Sequence, residues 1–275
     1  MKKFTLLVAI DFSKNSYVVL EKALAFTNNM DGNLHVVHVI ESSFFSKKID
    51  LEAAKENGFL ELSKKFSSIK KENYHCVSGK VKVEVANTAN ILGADMIIMG
   101  NSGETNLLDT LIMGSHTKEI IKHSQTPILI MKKEHELKYE NILILTDMSS
   151  ESAQAIKYTA KLFSDSSITL VNLFYMPLGN TMSLYGMDAE NVEEYQQGVQ
   201  DESQKELELF LDSLTLPKEI NVTSRSIKSS LNAKTFQKEV QEIEHDLLVI
   251  HATQNVSFFA FDILEQSLTD VMVVK

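Results

Sequence analysis

Residues 4–10 (FTLLVAI) and residues 141–145 (NILIL) are short, unbroken apolar runs, and each leads directly into an acidic turn that carries serine. Runs of this kind, without polar alternation, read as parallel strands buried on both faces. The turns are Asp11-Phe12-Ser13 and Thr146-Asp147-Met148-Ser149-Ser150. Asp and Ser at such places supply N-cap chemistry for a following helix. Val18, Val19, Ala23, Leu24 and Phe26 then mark an apolar side over residues 16–29, and Ala153, Ile156, Tyr158, Ala160 and Leu162 do the same in the second copy. Polar turns close both helices, and a second apolar strand follows each: residues 33–40 (NLHVVHVI) and 168–174 (ITLVNLF).

The parallel continues downstream. Residues 94–100 (ADMIIMG) match residues 245–251 (HDLLVIH), and residues 126–131 (TPILIM) match residues 270–275 (DVMVVK). The order strand, acidic turn, helix, strand, long variable piece, acidic strand, helix, last strand therefore occurs twice. This is an internal repeat, far longer than the repeat of a solenoid. A charged stretch, residues 134–140 (EHELKYE), separates the copies. The expected domains are residues 1–134 and 140–275, a comfortable division of 275 residues. Alternating helices and buried strands predict an α/β fold of two doubly wound, Rossmann-like parallel sheets in tandem. Such sheets bind ligands at the carboxyl ends of their strands.

Composition narrows the function classes. A net charge of -10 argues against a broad nucleic-acid or anionic-membrane surface, though not against a local anion site. The N-terminal apolar run is only seven residues and ends at Asp11 with no cleavage site, so it reads as a strand and not as a signal peptide. No stretch approaches the roughly 20 apolar residues that span a bilayer. Cys76 is the single cysteine, which fits a reducing, cytoplasmic compartment. Without a CxxC partner or an adjacent base it reads as a small buried residue and not as a reactive thiol.

The chemistry sits after the strand at residues 96–99. Gly100-Asn101-Ser102-Gly103 follows it directly, and ten residues later Gly114-Ser115-His116-Thr117 opens a helix through Ile120 and Ile121. Glycines let backbone N–H groups approach phosphate oxygens, and a helix start adds free N–H donors and a favourable dipole. The bland reading, in which these are turn and helix-entry residues only, stands beside the functional one. Asp11, closing the first strand, is placed to accept from a ribose hydroxyl or an adenine amine, or to help hold a metal.

Residues 94–133 (ADMIIMGNSGETNLLDTLIMGSHTKEIIKHSQTPILIMKK) resemble the C-terminal half of universal stress protein domains. That family's signature is Gly, two residues, Gly, nine residues, Gly-Ser/Thr, then a helix and a Pro-Val-Leu-type last strand. Residues 6–11 (LLVAID) and 38–41 (HVIE) also look like the family, and the pattern covers the whole chain. The resemblance implies two domains of the adenine nucleotide alpha hydrolase-like type and one ATP site, with Mg²⁺ as companion ion. It places Ala9, Ile10 and Asp11 near the adenine and ribose, and Val39 against the adenine. Met99, Gly100 and Gly103 would line the site, and Gly114, Ser115 and His116 would bind the phosphates. This chain has ten residues, not nine, between Gly103 and Gly114, with Glu104 in the loop. The extra residue either shifts the Gly114-Ser115 amides or is absorbed as a bulge.

The second copy departs further. His251-Ala252-Thr253-Gln254 replaces the glycine start, no glycine follows Gly198, and the interval from His251 to Val271 is 20 positions against 27 from Gly100 to Pro127. The second half therefore reads as a degenerate domain without a nucleotide loop. It carries a longer middle piece instead, residues 176–200, which reads as packing or as a lid or partner surface.

The histidines form no zinc signature: His35 and His38 point to opposite faces of one strand, and no HExxH or Cys-His set occurs. His116 and His123 are seven apart and can share a helix face. No GxSxG elbow accompanies Ser13, Ser102 or Ser115, and the Walker A pattern is absent. The expected function is a stress-response regulatory protein that binds ATP with little or no turnover. The alternative is a nucleotide-free scaffold acting through protein pairing. In the family the last strands commonly mediate pairing, so the halves are expected to form a pseudo-dimer, with a homodimer of chains as a further arrangement.

Overall fold

The computed structural model describes residues 2–41, 50–101, 115–132, 136–176, 182, 186–228, 238–240, 242–252 and 258–275; the side chains of Ser115, His116 and residues 258–260 are outside the description. The chain divides into two compact units, residues 1–138 with 270–275 and residues 139–269.

In the first unit the apolar runs become strands buried on both faces. β1 (Thr5–Ile10) is followed by α1 (Lys14–Asn29), β2 (Asn33–Ile40), α2 (Leu51–Lys65) and β3 (Tyr74–Ser78). Then come α3 (Val81–Leu92), β4 (Met96–Gly100), α4 (Ser115–His123) and β5 (Ile128–Met131). The strands pair in parallel in the order β3-β2-β1-β4-β5, each crossover carried by a helix. The chain's last strand, β10 (Asp270–Val274), lies antiparallel on β5, with Val271 opposite Ile130 and Val273 opposite Ile128. The buried carboxylate of Asp270 accepts from Lys132 N–H at 2.8 Å beside this pairing. Leu6, Leu7, Val8, Ile97 and Ile98 are fully out of water. Each such burial is worth about 1.5–3 kcal/mol.

The second unit repeats the plan with β6 (Asn141–Thr146), α5 (Ser150–Leu162), β7 (Ser167–Phe174), α6 (Ala189–Ser213), β8 (Asn221–Lys228), β9 (Leu247–His251) and α7 (Phe258–Gln266). Its parallel order is β8-β7-β6-β9. The long middle piece thus ends in a 25-residue helix.

The repeated acidic strand start has a structural use. Asp95 Oδ2 accepts from Thr5 N–H at 2.8 Å, tying the start of β4 to that of β1. Asp246 does the same in the second unit, accepting from Glu140 N–H at 2.8 Å and Asn141 N–H at 3.3 Å. Gly93, at φ 57, ends α3 in the left-handed conformation that glycine adopts most easily. Cys76 is buried, and burial pushes its thiol up, in keeping with a small core residue.

Candidate functional site

The first unit gathers its chemistry at the carboxyl ends of β1, β2 and β4. β1 and β2 run in register to Ile10 opposite His38, and β1 pairs with β4 as far as Val8 opposite Ile98. Asp11, Val39 and Gly100 therefore leave the sheet on the same side, where open α/β sheets receive ligands.

Asp11 is exposed, and its Oδ1 accepts from Ser13 N–H at 3.0 Å. Burial of part of the carboxyl raises its pKa, but hydrogen bonds from Ser13 and Ser16 outweigh this and hold it below the ordinary value. It is an ionised acceptor at neutral pH. Ser13 caps α1: its Oγ accepts from Ser16 N–H at 3.2 Å. Between the two, Phe12 sits at φ 64, a left-handed conformation costing an aromatic residue on the order of 1–2 kcal/mol. Contacts around its ring hold it there: His38 at 4.7 Å between centroids, Tyr17 at 6.3 Å and Tyr74 at 6.4 Å. His38 Nδ1 is also 3.0 Å from Ile10 O, so the imidazole closes off the last carbonyl of β1.

Ile10 and Met99 are buried, Ala9, Val39 and Gly100 half-buried. A methyl group on Gly100 would meet Val19 Cγ2 at 3.4 Å, an ordinary contact, so packing within the unit does not require glycine there. Asn101 follows. Its N–H donates to Met131 O at 3.1 Å, while its buried Oδ1 has no partner among the described residues. Gly103 and Gly114 lie outside the described residues. Ser115 and His116 open α4 through their backbone, bringing a helix N-terminus to the region. Glu119 pins α4 to α3: it contacts Lys82 Nζ at 2.6 Å and Lys122 Nζ at 3.2 Å, which together lower its carboxyl to about 2.

Asn101 and His38 were not among the residues expected from sequence to line the site. Asn101 was findable as the first residue beyond a Gly-ended strand. The role of His38 depends on strand register, which no motif encodes. His35, on the opposite face of β2, instead meets His75, with Nδ1 and Nε2 3.1 Å apart. His123 Nδ1 is 2.7 Å from Glu119 O, within its own helix. Among the described residues no cluster of three or more His, Cys, Asp or Glu side chains gathers for a metal.

In the corresponding corner of the second unit the aspartate meets a side chain from the neighbouring strand. Asp147 Oδ1 accepts from Ser149 N–H at 3.0 Å and from Ser149 Oγ at 2.6 Å, and its Oδ2 lies 3.4 Å from His251 Nε2. Burial raises this carboxyl, and Ser149 and His251 bring it below the ordinary value. His251 ends β9 as Gly100 ends β4.

Parallel strands alternating with helices in both units define an α/β protein of the doubly wound class. The family model described as the universal stress protein family matches residues 4–132. A universal stress protein of Methanocaldococcus jannaschii is 29% identical over 156 residues, covering 47% of this chain and 95% of the relative. A second one from that organism is 26% identical over 140 residues, covering 46% and 81%. A solved universal stress protein from Archaeoglobus fulgidus matches with a TM-score of 0.64 at 16% identity, covering 100% of this chain and 97% of that one, which shows the fold across both halves. The sequence likeness to the universal stress protein family is thus carried by residues 4–132.

Proposed function

We propose that the first unit binds one adenine nucleotide, ATP with Mg²⁺, at the ends of β1, β2 and β4, and that the protein works as a cytoplasmic stress-response regulator with little or no turnover. The observation carrying this reading is the exposed carboxylate of Asp11, held ionised by Ser13 and Ser16 at the end of β1. It suits donors such as ribose hydroxyls or an adenine amine. Asn101 Oδ1 offers a second acceptor in need of a donor. The α4 N-terminus suits phosphate, with Gly103, Gly114, Ser115 and His116 as its proposed ligands and Ala9, Ile10, Val39, Met99 and Gly100 as the walls. The absence of a Walker A or a Ser nucleophile motif supports low turnover. The pairing of β10 with β5 supports a pseudo-dimer of the two repeats within one chain. Among the described residues no helix is long and apolar enough to cross a membrane.

Isothermal titration with ATP and Mg²⁺, of the wild type and of Gly114→Glu, tests the site. A signal near one site per chain that the variant loses supports it. A flat wild-type titration, with no nucleotide carried through purification, leaves the nucleotide-free scaffold.

A further inference from the structure

β8 is the outer strand of the second unit, paired with β7 along eight residues. A strand of that length with no proline is a ready template for a further strand unless something covers it. Here α6 covers it, through side chains on one helix face: Gln200, Ser203 and Gln204, spaced three and four apart.

The contacts follow a definite pattern. Gln204 Oε1 accepts from Ser226 N–H at 2.8 Å, and Gln204 Nε2 donates to Ser224 O at 3.3 Å. Gln200 Nε2 donates to Ser226 O at 2.7 Å. In a parallel ladder, one residue of the incoming strand donates to the carbonyl before its partner and accepts from the amide after it; the residue two further on donates to the next carbonyl. With Arg225 as the partner, those groups are Ser224 O, Ser226 N–H and then Ser226 O. The two glutamine amides supply three consecutive bonds of those a parallel strand would make. Ser203 Oγ adds a short hydrogen bond to Ser226 Oγ.

The cover itself is lightly held. Of its 25 residues only Leu207 is buried, while Leu209 is 61% exposed. Gly198 lies within the helix two residues before Gln200, and a Cβ there would meet nothing within 4 Å, so packing does not call for glycine. A mid-helix glycine weakens the helix by about 1 kcal/mol relative to alanine. An open groove of about 450 Å³ lies along the covered edge between Gln200, Gln204, Arg225, Lys228 and Glu239. The charges are segregated as well: α6 carries eight carboxylates and one lysine, whereas β8 has Arg225 and Lys228 and no acid.

We propose that the outer edge of β8 is a strand-acceptor site closed by α6, and that its occupant is an extended segment of another polypeptide with acidic flanks, added parallel to β8 when Gln200 and Gln204 release it. Main-chain ladder bonds would hold such a segment, as in other strand-addition complexes. Arg225 and Lys228, which line the groove along this edge, suit a segment with acidic flanks. The proposal is independent of nucleotide binding in the first unit.

The test uses the full chain, the Gln200→Ala/Gln204→Ala variant and Gln204→Glu. The last keeps the side-chain shape and the acceptor for Ser226 N–H but places an oxygen against Ser224 O. The probe is a peptide of the β7 sequence, SITLVNLF, flanked by glutamates, because β7 is the parallel neighbour that β8 already accepts; a scrambled peptide is the control. In wild type the Ser226 amide should exchange slowly with deuterium, and in both variants about tenfold faster or more. Fluorescence anisotropy should show the peptide binding the variants at least about tenfold more tightly than wild type, with unchanged circular dichroism excluding general unfolding. Equal protection of residues 224–228 in all three chains, equal peptide affinity, or self-association of the variants that the peptide does not compete away would each overturn the proposal.

Discussion

The turn after β1 and the turn after β6 share their backbone design. Each places an aspartate at the strand end and a non-glycine residue in the left-handed region next, Phe12 at φ 64 and Met148 at φ 60. Each then places a serine that caps the following helix. Even the carbonyl that precedes the aspartate is treated alike. His38 on β2 is 3.0 Å from Ile10 O, and Asn172 on β7 donates to Thr146 O at 3.0 Å. What differs is the strand opposite. β4 ends in Gly100, which brings no side chain to Asp11; β9 ends in His251, which stands 3.4 Å from Asp147. One backbone design thus carries an aspartate beside a glycine or an aspartate beside a histidine, according to a single residue on another strand.

The largest expected effect exchanges that residue. Gly100→His should bring an imidazole to Asp11 as His251 comes to Asp147. ATP affinity in titration should fall at least about a hundredfold, near 3 kcal/mol. Gly100→Ala should fold normally, since the added methyl meets Val19 at an ordinary distance, so any loss of affinity it shows reports on the ligand space. The reverse change, His251→Gly, should free Asp147 without creating a nucleotide signal, because the glycine loop is absent from the second half. Wild-type affinity in Gly100→His would break the comparison.

A second pair of variants weighs the two carbonyl caps. Asn172 is buried, and Asn172→Leu leaves Thr146 O without its donor, an expected loss of about 1–3 kcal/mol. His38 is half-buried, so after His38→Leu water can reach Ile10 O, and the expected loss is about 1 kcal/mol. The chain has no tryptophan, so the measurement is hydrogen exchange of each unit across a urea series. Equal losses would show that the two corners are equally sealed.

The strained turn residues should respond with opposite sign. Met148→Gly relieves about 1–2 kcal/mol of left-handed strain against a glycine entropy cost of about 0.5–1 kcal/mol, so the second unit should gain slightly. Phe12→Gly relieves the same strain but removes the ring that packs on His38, Tyr17 and Tyr74, so the first unit should lose stability. The same series of exchange measurements reads both.

How much of this could be read from the residues follows from where each element lies. The strands buried on both faces were legible as apolar runs. β3 and β8 were not: they lie next to a single parallel neighbour and mix polar with apolar residues, and in NVTSRSIK only Val222 and Ile227 are aliphatic. α6 was hidden for a related reason, since a helix that buries only Leu207 needs no apolar stripe. The serine caps were legible because capping chemistry is local. The left-handed Phe12 was not, because an aromatic residue argues against positive φ and is held there by contacts from β2 and β3. At the site, Asp11 and Gly100 stood out through their place after apolar runs. The orphaned Oδ1 of Asn101 and the His38 contact depend on how strands and helices meet.

The smallest effect concerns a place on the sheets where the units again diverge. On β2 and β3 of the first unit, His35 Nδ1 and His75 Nε2 lie 3.1 Å apart; on β7 and β8 of the second, the hydroxyls of Thr169 and Thr223 lie 3.2 Å apart. Burial lowers both histidine pKa values below the ordinary 6.5, with Lys55 and the neighbouring ring of His35 adding to the effect on His75. The folded unit therefore holds fewer protons than the unfolded chain just below pH 6.5. The stability contributed by the neutral pair is whole above that pH and declines as pH falls through 6.5 toward the folded values. The hydroxyl pair does not titrate there. Between pH 7.5 and 5.5 the first unit should lose protection against urea-driven exchange relative to the second. His35→Thr/His75→Thr should remove that difference while leaving the sheet paired. A difference that survives the double variant would assign the pH response to groups other than this pair.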